Sequence, residues 1–152
     1  MNLNQLAVTA NRENLAKLFL TLNAENKPQW GIMEPQQMVE HLIKQVSYTN
    51  GKRQPFCEVP EEQAKSAKQA YIYADLEIPK NAISGGVPDP LIYSDLENAI
   101  NQLLKELEDF DNYFKESGMT VIHGGFGAMN YEEWVFWHSK HFKHHLEQFG
   151  LI

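Results

Sequence analysis

The sequence predicts an all-α protein, a four-helix bundle with one long crossover between its second and third helices. Three observations lead there. Four segments repeat apolar residues at three- and four-residue steps, as helices with one buried face require. Recognisable start or stop signals flank these segments. Roughly forty proline-rich residues separate the second segment from the third, far more than a tight helix–helix turn needs. A bundle accommodates such a link by running it back along its length.

The chain has 152 residues and suits one domain spanning 1–152. A domain of that size buries about 68–70% of its unfolded surface, so neither a disulfide nor a structural metal is needed for folding.

The first helix is expected from about Asn11 to Leu22, with Leu15, Leu18, Phe19 and Leu22 on one stripe. The second starts at Pro35, a residue suited to a first helical turn because it has no N–H to lose. It places Met38, Leu42 and Val46 on one side and stops near Asn50-Gly51. Within the crossover, Gly51 to about Ile92, Glu61–Ala70 fits a short helix and Ala70–Ala74 a brief extended piece. The remainder, through Ile83-Ser-Gly-Gly-Val-Pro-Asp-Pro90, reads as loop. The whole segment fits either a crossover along the bundle or a lid over a site, and a crossover that also borders the site is expected.

The third helix opens with Ser94 and Glu97, spaced as a capping box in which each side chain takes an orphan backbone N–H. Its stripe of Leu96, Ile100, Leu103, Leu107, Phe110 and Phe114 is expected to stop at Gly118. The fourth starts at Asn130, with Glu133 three residues on, and stops at Gly150.

Net charge is -7 with acidic residues spread along the chain. Phosphate backbones select clustered Lys and Arg, so no nucleic-acid partner is expected. No apolar run reaches the roughly 18 residues of a membrane span, so no membrane role is expected either. The first ten residues make a poor signal peptide, and a cytoplasmic location follows as the expectation. The single Cys57 has no partner for an internal disulfide and is expected to be inert.

The chemistry concentrates in the fourth helix, where His138, His141, His144 and His145 supply four of the six histidines. Val135, Phe142, Leu146 and Phe149 share one face, which must be the buried one. His138, His141 and His145 lie along its edge, while His144 points away and should be solvated. Residues four apart project from one side of a helix, so His141 and His145 can bind one transition metal. His41 on the second helix is the candidate third ligand. Three neutral imidazoles leave a coordination position open. Geometry alone does not remove His138 from this set. Nor does it remove the reading in which the histidines form a polar stripe near the helix's negative end. Glu40, Glu133 and Glu147 are candidates to orient imidazoles, or else solvated helix residues. No residue stands out as a catalytic base.

Two stretches carry a family resemblance. One is Trp30-Gly-Ile-Met33 followed by Gln37-Met-Val-Glu-His41-Leu42. The other is Phe126-Gly127, Glu133-Trp134 and Lys140-His-Phe-Lys-His-His-Leu-Glu-Gln-Phe-Gly150. Together they resemble the DinB/YfiT-like superfamily of metal-dependent helical bundles, in a branch known mainly as a domain of unknown function. The resemblance implies a divalent metal, zinc or nickel, on His41, His141 and His145. It further implies transferase or isomerase chemistry in which a small-molecule thiol attacks an electrophile, and a homodimer. One departure stands out: His123 is followed by Gly124-Gly125 where the branch has Asn or His and then Pro. For His123 a plain turn role is expected, ahead of a loop role near the site.

Overall fold

The computed structural model describes residues 2–80 and 88–152. The chain is mostly helical, with five α-helices and one small hairpin among the described residues. These are α1 (Arg12–Leu20), α2 (Pro35–Ser47), α3 (Glu61–Lys68), α4 (Leu96–Tyr113), β1 (Val121–His123), β2 (Gly127–Met129) and α5 (Tyr131–Gln148). Helix α4 packs against α2 and α1.

The helical stripes become the core. Leu15, Phe19, Met38, Leu42, Val46, Ile100, Leu103, Leu107, Phe110, Phe142 and Leu146 are all buried. Phe19 meets Phe142 edge to face at 6.2 Å. Burying such a side chain contributes roughly 1.5–3 kcal/mol. Polar contacts tie the packed helices together: Asp111 of α4 accepts from Arg12 of α1 and from Tyr131 of α5. The N-terminal segment is held by the Ala7 N–H, which donates to Ser139 Oγ on α5.

Several boundaries depart from the sequence reading. The cap of α4 lies one residue later than the proposed Ser94, because Asp95 accepts the Asn98 N–H at 2.8 Å and a carboxylate suits a helix N-terminus. The helix ends at Tyr113, short of Gly118. At Asn130 the expected capping box with Glu133 is present in full. Helix α2 also carries a capping box, formed by Glu34 and Gln37.

The expected extended piece at Ala70–Ala74 is instead a π-helical turn, Gln69–Tyr73, continuing α3. Lys140 explains how the widened turn is held. Its ammonium donates to Tyr71 O at 2.9 Å and Leu76 O at 2.7 Å, and it pairs with Asp75 at 2.6 Å. Ile72, within the turn, is buried. The hairpin was not expected. It registers Val121 with Met129 and His123 with Gly127, immediately before α5.

The loop expected over Ile83–Pro90 lies outside the described residues as far as 87. Beyond it the chain is fastened along α2: Asp89 pairs with Lys44 at 2.8 Å, and Glu40 accepts the Ile92 and Tyr93 N–H groups. Asp89, Ile92 and Tyr93 therefore lie beside the helix that bears His41. No helix among the described residues is long and apolar enough to cross a membrane.

Candidate metal centre

Helices α2 and α5 bring His41, His141 and His145 together. On α2, burial of Met38 and Leu42 fixes the rotation of the helix and turns His41 toward α5. On α5, burial of Phe142 and Leu146 does the same for the histidine pair. His141 Nε2 lies 3.1 Å from His41 Nε2 and 3.1 Å from His145 Nε2. One nitrogen from each ring falls within 4.8 Å of the others.

These spacings suit a metal. Two nitrogens bound at about 2.0–2.1 Å in a tetrahedral site stand about 3.3–3.4 Å apart. The protonation states suit one as well. Burial, followed by the charge of Lys44, lowers the His41 pKa to about 4. Burial, then His41, lowers that of His145 to about 3 against the opposing Gln148 bond. Burial and its two neighbours push His141 well below the ordinary range. All three rings are thus neutral at neutral pH, as ligation requires. Three inward lone pairs would repel one another unless a proton or a cation sits among them.

The outer contacts of the three rings differ. His145 Nδ1 lies 2.7 Å from Gln148 Oε1. His141 Nδ1 is buried without a hydrogen-bond partner, and its ring stacks beside Trp137 at 5.9 Å. Gln148 is the residue that sequence reasoning missed. Its signal is the i,i+3 spacing from His145, which also fits an ordinary boundary glutamine.

The other candidates go elsewhere. His138 is not at the edge but in the core, between Trp134 and Phe142, with Nε2 3.1 Å from Thr49 Oγ1. His144 is not freely solvated: it is half-buried and meets Trp30 edge to face at 5.5 Å. The three glutamates make contacts other than to the clustered imidazoles. Glu40 holds the segment at 92–93, Glu133 caps α5 and accepts from Tyr73, and Glu147 stands 3.9 Å from Lys143. His123 takes the turn role, its Nδ1 accepting the Gly125 N–H while its ring stacks on Phe126 at 3.9 Å. Cys57 is exposed.

A cleft of about 260 Å³ lies close by. Trp30, Lys80, Lys143, His144 and Glu147 line it, but none of the three clustered histidines does.

Residues 80–150 match a family described as a protein of unknown function (DUF1569). The match covers just under half of the chain and includes His141, His145 and Gln148 while leaving out His41. No curated protein and no solved structure matches the chain.

Proposed function

We propose that this chain is a divalent-metal-dependent enzyme of the DinB-like class, a four-helix bundle whose His41, His141 and His145 hold zinc or nickel. The observation that supports this most is the convergence of three imidazoles, with His141 Nε2 3.1 Å from both His41 Nε2 and His145 Nε2 and all three ligand atoms within 4.8 Å of one another. When bound, such an ion has an open position and acts as a Lewis acid toward a thiol or water. The chain's own part is to orient three imidazoles and keep them unprotonated by burial. Lys44, three residues from His41 along α2, is paired with Asp89 at 2.8 Å, so the two charges beside the site oppose each other. In this reading the substrates are a small-molecule thiol and an electrophile, the location is cytoplasmic and the assembly is a homodimer.

A second reading is favoured by the same distances. At 3.1 Å, His141 Nε2–H can donate to a neighbouring imidazole without any ion, and His141 Nδ1 has no acceptor for a displaced proton. That arrangement suits a metal-free bundle, and in this reading the chain acts through a protein partner instead of a reaction.

Cobalt(II) substitution separates the possibilities. An enzyme of the proposed kind binds one cobalt, and a small thiol adds a thiolate-to-cobalt charge-transfer band. Cobalt binding with no response to thiols would leave a metal-binding bundle without this chemistry. Failure to bind cobalt, zinc or nickel would overturn the metal reading.

A further inference from the structure

Gln148 is almost fully buried, and its side-chain amide is held at both ends. Its Nε2 lies 2.9 Å from the carbonyl oxygen of Trp30, which can only accept. The amide is therefore oriented with NH2 toward Trp30 and Oε1 toward His145 Nδ1. An oxygen acceptor at 2.7 Å requires a proton on Nδ1, and a neutral ring then has its lone pair on Nε2, facing the other two histidines.

The turn that supplies the Trp30 carbonyl is built for this contact. Gly31 has φ +82°, a left-handed conformation that side chains disfavour, and a Cβ there would stand 2.8 Å from Gln148 Nε2. The backbone closes the same junction, with the Gln29 N–H donating to Gln148 O at 2.7 Å. Residues 29–31, in the connection between α1 and α2, are thus locked to the last turn of α5.

We infer that Gln148, oriented by the Trp30-Gly31 turn, is a positioning residue that fixes the Nδ1–H tautomer of His145 and so readies its Nε2 for a divalent cation. The inference rests on the proposed metal centre for its purpose. The tautomer itself is a property of the metal-free chain. Few side chains could replace it, because one end must accept and the other donate. A carboxylate at 148 would turn an oxygen toward the Trp30 carbonyl, and a methionine of similar length would serve neither end.

The test is nitrogen-15 NMR of the imidazoles in metal-free protein at neutral pH, with zinc affinity measured by competition against a chromophoric chelator. Wild type should show His145 protonated at Nδ1 and not at Nε2. Gln148→Met should mix the tautomers and weaken zinc binding about 10- to 100-fold, the usual effect of losing an outer partner. Gly31→Ala should act in the same direction, with circular dichroism confirming that each variant is folded. A wild-type His145 protonated at Nε2 would overturn the inference even if no variant folds. So would a folded Gln148→Met that keeps the tautomer and binds zinc within twofold of wild type. If wild type binds neither zinc nor nickel, the metal reading fails separately, and the tautomer still decides the role of Gln148.

Discussion

His138 Nε2 lies 3.1 Å from Thr49 Oγ1, while the same hydroxyl sits 2.6 Å from the carbonyl oxygen of Val46. Because the hydroxyl proton goes to Val46, Thr49 can only accept from His138. The ring is therefore a neutral donor at Nε2, with Nδ1 buried and unpartnered. Replacing Thr49 with Val leaves that N–H without an acceptor in the core. The expected loss is about 1–3 kcal/mol, measured as a lowered urea midpoint.

Acid should weaken the fold through the same residue. Burial, assisted by His123 and Arg12, lowers the His138 pKa from the ordinary 6.5 to about 3. The folded chain therefore resists a proton that the unfolded chain accepts below 6.5. Its contribution is complete above that pH, erodes as the pH falls, and is gone once the folded pKa is passed. Between those limits one such group costs about 1.4 kcal/mol per pH unit. Urea midpoints measured from neutral to mildly acidic buffer should fall for wild type and fall less steeply for His138→Leu.

Lys140 should matter far more than the carboxylate it pairs with. Its ammonium is buried against two carbonyls, whereas the Asp75 side chain is largely exposed. Lys140→Met should cost about 1.5–3 kcal/mol by removing the charged hydrogen bonds to the carbonyls of Tyr71 and Leu76. Asp75→Asn should cost at most about 1 kcal/mol, as exposed ion pairs do. Hydrogen exchange should quicken around the π-helical turn in the first variant only.

The start of α4 offers a sharper contrast. Asp95 accepts the Asn98 N–H, while Ser94 contacts only the Asn98 side chain. Asp95→Ala should cost about 0.5–2 kcal/mol, typical of a lost N-cap. Ser94→Ala should leave the thermal midpoint nearly unchanged.

What could be read from the sequence was what repeats. The stripes of α2, α4 and α5 name the core residues directly, since burying one face is the main reason such helices hold. Asn130 and Glu133 announce their own cap because both partners are local. The misses arise where a distant residue decides. Tyr71-Ile72-Tyr73 has strand-like composition, yet a lysine nearly seventy positions away supplies the donors that hold a π-turn. The hairpin at 121–129 leaves only a Gly-Gly between short apolar pieces, too slight a pattern beside four helices. At the site, the i,i+4 spacing gave His141 and His145, but wheel geometry could not place His138 inward against Thr49. Gln148 was invisible because its meaning depends on a carbonyl 118 residues upstream.

Ligand binding should stabilise the chain if the three imidazoles hold a cation. Zinc at a hundredfold excess over its Kd should add about 2.7 kcal/mol. The thermal midpoint should rise accordingly in wild type and in His144→Ala, and not in His145→Ala.

Elemental analysis of untagged protein, after incubation with zinc or nickel and removal of excess, tests the three-histidine centre most directly. Wild type and His144→Ala should each retain close to one metal ion per chain, and His145→Ala should retain almost none. A wild type that retains neither metal, or a His145→Ala variant that holds as much as wild type, would contradict it.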